Sequence, residues 1–134
     1  MRTSVALYPG FLTQGYRYMY EKLNEKGRMI NEHVELLGEQ IASHYDFLDT
    51  IADPAQTVQE SVKTYGRICS DSDARLNDKS VVLECSRQVG NGVRVPLNLN
   101  SVPSYALFPG QVVGMEGVHG AGKYFTVQHF LPVR

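Results

Sequence analysis

The stretch 61–87, SVKTYGRICSDSDARLNDKSVVLECSR, decides the fold because it holds two strand-like segments separated by a polar turn. Its two ends, 61–71 and 79–87, are rich in β-branched and aliphatic residues, which favour strands. Between them, residues 70–78 are mostly small, polar or charged, which is typical of a turn. The stretch therefore predicts two consecutive strands.

Three further strand-like segments follow towards the C-terminus. They are VRVPLNL (93–99), QVVGMEGV (111–118) and YFTVQHFL (124–131). Gly90-Asn91-Gly92 predicts a hairpin between the second and third strands. Pro96 suggests an edge or a bulge, because proline cannot donate to a strand ladder. The FPG sequence at 108–110 predicts a turn into the fourth strand.

Before the first strand, apolar residues recur at the spacing of three and four that is typical of an amphipathic helix. The positions are Tyr16, Met19, Leu23, Ile30, Val34, Leu37, Ile41 and Tyr45. NEKG (24–27) predicts a break into two helices, and Asp53-Pro54 marks the end of the region. We therefore divide the chain into an irregular segment (1–13), a helical lead-in (14–55) and a barrel (56–134).

Five short strands with the longest connection between the third and fourth are typical of the OB-fold, a five-stranded Greek-key barrel. We predict this barrel, in a mainly β protein with an N-terminal helical segment. An SH3-like barrel is the alternative from pattern alone. NSVPSYAL (100–107) is a connector or a short helix. At least three of four strand residues should point inward: Ile68, Val82, Val113 and Val127.

The composition is that of an ordinary globular domain, with 43% hydrophobic residues, 20% charged residues and a formal net charge of −1. Residues 58–134 hold eight Lys/Arg against six Asp/Glu, short of the basic excess of a dedicated nucleic-acid binder.

No apolar run approaches the roughly 18 residues of a membrane span. The pattern predicts no secretory signal, and free buried thiols of an intracellular protein are favoured over a disulfide for Cys69 and Cys85.

The stretch GVHGAGKY (117–124) matches the glycine–lysine core of a phosphate-binding loop. Such a loop leads into a helix whose N-terminal amides hold the phosphate, and Ser or Thr follows its lysine. Here Tyr124 and a strand-like segment follow Lys123. We interpret the stretch as a glycine-rich hairpin between the fourth and fifth strands, and we predict no nucleotide cofactor.

Two further patterns resemble metal sites without meeting their requirements. The alternating positions of a calcium loop would be Asp71, Asp73, Arg75 and Asn77. Leu76 then stands where glycine is needed and Val82 where glutamate is needed, so this segment is interpreted as a polar turn. His33 and His44 could share a helix face, but no third ligand joins them. No nucleophile–base pair stands out, and we predict no metal, no cofactor and no catalysis.

An OB-fold that binds single strands stacks bases on aromatic side chains and holds phosphates with basic ones. The chain has eight tyrosines and five phenylalanines, yet none lies between Gly66 and Ser104, the span of the second and third strands. Those strands usually make the binding face. Arg67, Arg87 and Arg94 could contact phosphates there, but no base could stack. The residues therefore favour a protein contact, with single-stranded nucleic acid as the alternative.

Three segments together resemble the OB domain of the B subunit of DNA polymerase α–primase. They are residues 66–87, VRVPLNL (93–99) and YALFPGQVVGMEGV (105–118). LNDKSVVLE (76–84) and LFPGQVVGMEG (107–117) are the most specific parts. YRYMYEKL and HVELLGEQIASHY resemble the helical stretch that leads into that domain. The similarity runs from about Leu12 to Leu131.

The resemblance implies a nuclear scaffold without catalysis. Members of the family bind the C-terminal, zinc-bearing region of the polymerase catalytic subunit and so help to join polymerase to primase. Their phosphoesterase domain, which lacks catalytic residues in the family, and their N-terminal protein-binding domain lie outside this sequence. We therefore expect a piece of a longer protein, excised or truncated, in which any DNA contact is weak.

Four residues are candidate partner contacts. Arg87 and Arg94 flank the predicted hairpin and should be exposed. Phe130 and Leu131 lie where the chain would cross into the phosphoesterase domain. Phe108 is either a core residue or an exposed anchor, and the core position is favoured.

Overall fold

Five strands form a closed barrel, and one long helix packs against its outside. The computed structural model describes residues 3–6, 9, 17–120 and 122–132. The helices are α1 (Leu23–His44) and α2 (Arg87–Gly90), with a short 3-10 turn at Leu48–Thr50. The strands are β1 (Val58–Ser70), β2 (Val81–Glu84), β3 (Arg94–Asn98), β4 (Val112–His119) and β5 (Phe125–Leu131).

The strand order around the barrel is β1-β2-β3-β5-β4, with β4 closing against β1. All neighbours are antiparallel except β3 and β5, which are parallel. The long strand β1 pairs with β4 as far as Arg67 and with β2 from Arg67 onward. It therefore serves both halves of the barrel, as an OB-fold requires, and the predicted fold is confirmed.

The barrel interior is a continuous apolar core. Its buried members are Ile68, Val81, Leu83, Cys85, Val95, Leu97, Leu99, Val113, Met115, Phe125 and Val127. Three of the four residues predicted to point inward belong to this core, and Val82 is buried outside it. The prediction of at least three is confirmed.

The helical lead-in contains a long helix that begins at Leu23 and runs through Gly27, so the predicted break at 24–27 is wrong. Met19 precedes this helix, so the predicted periodicity does not extend back to it, and Tyr16 and most of the segment 1–13 lie outside the described residues. The helix begins after Lys22, whose backbone N–H donates to Glu25 Oε2 at 2.9 Å. This bond satisfies a donor that the helix start would leave unpaired. Gly27 lies inside the helix. Packing of the apolar face on the barrel offsets the low helix propensity of that single glycine.

A second apolar cluster lies between α1 and the barrel wall, where Val34 and Ile41 pack with Tyr65 of β1 and Val112 of β4. Close approach depends on a glycine on the helix, because a Cβ added to Gly38 would overlap the Tyr65 ring. It also depends on one in β4, since a Cβ added at Gly114 would lie 2.6 Å from Ile41 Cγ2. The two glycines set how close α1 comes to the sheet.

Residues 99–111, between β3 and β4, are a connector rather than a helix. The predicted turn at its end is confirmed: Gln111 N–H donates to Phe108 O at 3.2 Å, and Gly110 has φ of 90°. Gly110 N–H also donates to Ile68 O at 2.7 Å, which fixes the turn to β1. Phe108 remains outside and is 61% exposed, so its favoured core position is wrong.

The connection between β2 and β3 contains α2, followed by Asn91 and Gly92 in the left-handed region with φ of 52° and 71°. The two strands are antiparallel, as the predicted hairpin requires. Pro96 lies opposite Val82 of β2, and pairing with β5 begins only at Leu97. Pro96 is therefore at an edge position, which agrees with the prediction.

The contrast between two helical glycines tests this packing. We expect Gly38→Ala to lower the free energy of unfolding by about 1–3 kcal/mol, because the methyl group would push α1 away from Tyr65. Gly27→Ala should raise it by about 0.5–1 kcal/mol, because the helix gains a better helix former. Urea denaturation of both variants measures the difference. Equal effects of the two substitutions would contradict the close approach at Gly38.

Candidate protein-binding surface

The outward face of β1, β2 and β3 carries an arginine–glutamate cluster. Arg67 lies opposite Glu84, and Glu84 lies opposite Arg94. Side chains alternate between the two faces of a strand, and the neighbours Ile68 and Leu83 are in the core. The strand register therefore brings two guanidinium groups to one carboxylate on the outside of the barrel.

Glu84 uses both carboxylate oxygens in this cluster. Arg67 Nη2 lies 2.7 Å from Oε1, and Arg94 Nε lies 2.9 Å from Oε2. The side chains of Arg67 and Glu84 are 21% and 20% exposed, while that of Arg94 is 57% exposed. These are charge-assisted hydrogen bonds, and partial burial limits their screening by salt.

The ionisation of the groups around Glu84 follows from this geometry. Burial opposes the charge of Glu84, but the hydrogen bonds and positive charges of Arg94 and Arg67 outweigh it and lower the pKa of the carboxyl group. Burial, together with the nearby Glu84 charge, raises the pKa of the Cys69 thiol. Burial raises the pKa of Cys85 to about 12. Both cysteines are free thiols, with Cys85 buried and Cys69 half-buried, and they stay protonated at neutral pH.

Helix α2 is joined to α1 by polar contacts. Arg87 N–H donates to Asn31 Oδ1 at 2.8 Å, and Gln88 Nε2 donates to Glu35 Oε2 at 3.1 Å. The side chain of Arg87 is exposed. These contacts hold the connection between β2 and β3 beside α1.

A groove of about 340 Å³ lies between α1 and the β2–β3 hairpin. We call it the arginine groove; it is lined by Gly27, Ile30, Asn31, Val34, Arg67, Glu84, Cys85, Ser86, Arg87, Gly92 and Arg94. In that lining three side chains are cationic and one is acidic. The sequence places Arg87 and Arg94 on either side of a hairpin, and the structure brings them into one groove with Arg67.

Phe130 and Leu131 lie on a different surface. They line an apolar cleft of about 400 Å³ between the end of β5 and the connector that follows β3. The Phe130 ring packs partly against the barrel core, 6.4 Å from the ring of Tyr105. Leu131 packs against the cluster under α1. The four candidate contacts therefore form two separate pairs.

Sequence reasoning missed Glu84, although one signal could have found it. Once 61–71 and 79–87 are taken as paired strands, their opposite charges can be matched across the ladder. The register that pairs Ile68 with Leu83 also pairs Arg67 with Glu84. The role of Asn31 had no such signal, because its contact with Arg87 depends on where α1 packs.

The glycine–lysine stretch joins β4 to β5, as interpreted from the sequence. Gly122 has φ of 72°, Lys123 is exposed, and a strand follows instead of a helix.

His33 and His44 are exposed on α1, and the polar turn after β1 is exposed. Within the ranges that the structure describes, no three His, Cys, Asp or Glu side chains are grouped to hold a metal ion. No helix in those ranges is both long and apolar enough to cross a membrane.

The strand order and the outer helix define the chain as an OB-fold domain. Its residues 27–133 match the family profile for the OB domain of the DNA polymerase alpha B subunit. The chain belongs to the family of DNA polymerase alpha B subunits, and the resemblance found in the sequence is confirmed.

Individual members of the family show the same similarity. The DNA polymerase alpha B subunit of Schizosaccharomyces pombe is 38% identical over 122 residues, which is 88% of this chain and 21% of that protein. The Bos taurus protein of the same name is 37% identical over 116 residues, which is 87% of this chain and 19% of that protein. The Saccharomyces cerevisiae protein of the same name is 36% identical over 122 residues, which is 88% of this chain and 17% of that protein. The chain thus spans about a fifth of the length of these curated relatives.

Glu84→Gln tests the cluster. At neutral pH we expect the free energy of unfolding to fall by about 1–2 kcal/mol, because two arginines lose a partly exposed charged partner. The folded-state pKa of Glu84 is lowered. Its contribution is therefore present above the unfolded value of about 4.3 and is lost as pH falls through the folded value.

Urea denaturation at pH 7 and pH 3 measures this dependence. Glu60→Gln, at an exposed position on the same strand as Arg67, is the matched control. The difference between Glu84→Gln and wild type should shrink at pH 3. A difference of the same size at both pH values would show that the carboxylate charge is not what stabilises the cluster.

Proposed function

We propose that the chain is a non-catalytic accessory module of the DNA polymerase α–primase complex that acts in the nucleus during the initiation of DNA replication. It would bind the C-terminal region of the polymerase catalytic subunit and so connect it indirectly to primase. The observation that supports this proposal is family membership over nearly the whole chain, together with the name that each relative carries.

The side chains on the barrel support a protein partner over DNA. Strands β2 and β3, the usual binding face, carry no aromatic side chain on which a base could stack. Binding of single-stranded nucleic acid is the second candidate function, favoured by the OB-fold and by the exposed Arg87.

We propose two contact surfaces for the partner. The first is the hairpin edge that carries Arg87 and Arg94, where charge could steer association and fix the register of the complex. The second is the apolar cleft at Phe130 and Leu131, where a partner could bury hydrophobic surface. The two surfaces are separate, and protein interfaces commonly combine charged and apolar contacts of these two kinds.

Charge reversal tests the first surface. Arg87→Glu, and the double variant with Arg94→Glu, should weaken binding to the polymerase C-terminal region by about tenfold or more, as loss of charge complementarity would do. Isothermal titration calorimetry with the purified region measures the affinity. Lys123→Glu, at an exposed position in another hairpin, is the control.

Thermal melting must accompany these measurements, because Arg94→Glu places a second carboxylate beside Glu84. Arg87→Glu breaks no ion pair that the described chain contains and should keep its melting temperature. Unchanged affinity in a well-folded double variant would remove this edge from the interface.

Titration with single-stranded DNA at low and physiological salt separates the two candidate functions. The accessory role predicts weak binding at physiological salt. Tight binding with a steep dependence on salt concentration would favour the nucleic-acid function instead.

A further inference from the structure

We infer that the arginine groove receives a carboxylate side chain from a protein partner, held by Arg67, Arg87 and Arg94. The inference deepens the proposed function, because it names the chemistry of the partner at the hairpin edge. It depends on the proposed function in one respect only, namely that the partner is a protein.

The charge in the groove is unbalanced. Three guanidinium groups line it against the single carboxylate of Glu84, and that carboxylate already bonds with both oxygens. Arg87 takes part in none of the ion pairs found among the described residues. A second carboxylate would compensate the remaining positive charge and could accept hydrogen bonds from guanidinium forks that are already in place.

The groove also contains an unused donor. Arg67 Nε is buried and has no hydrogen-bond partner among the residues that the structure describes, while Nη2 of the same side chain is held by Glu84. Buried polar groups normally have partners, so an unpaired donor in the lining of a cationic groove indicates that an acceptor is missing. A carboxylate in the groove would supply the charge, and it would supply that acceptor once the Arg67 side chain turns Nε toward the groove.

The shape of the groove gives such a side chain access. Gly27 leaves the wall of α1 open, and a Cβ added there would lie 3.7 Å from Arg87 Nη2, an ordinary contact distance. Asn31 already holds the backbone of Arg87, so this side chain starts from a fixed point at the edge of the groove. The lining has no aromatic ring, which favours a protein carboxylate over a nucleotide.

Titration of the full chain with short peptides tests the inference without the polymerase catalytic subunit. Hexaglutamate is the probe and hexaglutamine is its uncharged control. Amide NMR signals of Gly27, Asn31 and Gly92 should shift saturably with hexaglutamate alone. Arg87→Gln with Arg94→Gln should weaken the binding at least fivefold, and Lys123→Gln should leave it unchanged.

A carboxylate built into the chain provides a second, independent test. Gly27→Glu should place its side chain in the groove, whereas Gly27→Gln has the same length and no charge. We expect Gly27→Glu to melt at a higher temperature than Gly27→Gln and to bind hexaglutamate at least fivefold more weakly. Both differences should disappear when Arg87→Gln and Arg94→Gln are added.

Three results would overturn the inference. One is that hexaglutamate shifts the amide NMR signals around Lys123 as strongly as those around Gly27. Another is equal behaviour of the glutamate and glutamine variants at position 27. The third is tighter binding of hexathymidylate than of hexaglutamate at the groove, which would assign it to nucleic acid. Carboxylate binding without any affinity for the polymerase region would instead count against the proposed function alone.

Discussion

One carboxylate, that of Glu84, determines how the outer face of the barrel is arranged. It lies on β2 between Arg67 of β1 and Arg94 of β3, and each of its oxygens accepts from one of them. Two like charges that would repel one another are thereby held on the strands either side of β2. Two arginines share one carboxylate, so the cluster keeps a net positive charge.

The groove beside this cluster exists because α1 packs closely on the sheet. That approach requires the absence of a side chain at Gly38, above Tyr65, and at Gly114, below Ile41. Once α1 is in place, Asn31 accepts from the backbone of Arg87 and holds the β2–β3 connection against the helix. The packing of the helix thus determines the position of a third arginine that the sheet alone would not fix.

The sequence could predict the strands and their order, because period-two patterns, turn residues and the long connection after β3 are local signals. It failed at Gly27, where tertiary packing outweighs the low helix propensity of glycine, and at Phe108, which the turn fixed by Gly110 holds outside the core. The candidate contacts Arg87 and Arg94 were found from their places around a hairpin. That they line one groove with Arg67 could not be predicted, because it depends on how α1 packs on the sheet and on the contacts of Glu84.

Hydrogen–deuterium exchange of the chain, alone and in complex with the C-terminal region of the polymerase catalytic subunit, tests the central claim most directly. The claim is that the surface between α1 and the β2–β3 hairpin meets a protein partner. It predicts slower exchange on binding for amides in 27–34 and 86–94, with little change in the hairpin around Lys123. Protection confined to other surfaces, with unchanged exchange in 27–34 and 86–94, would contradict it.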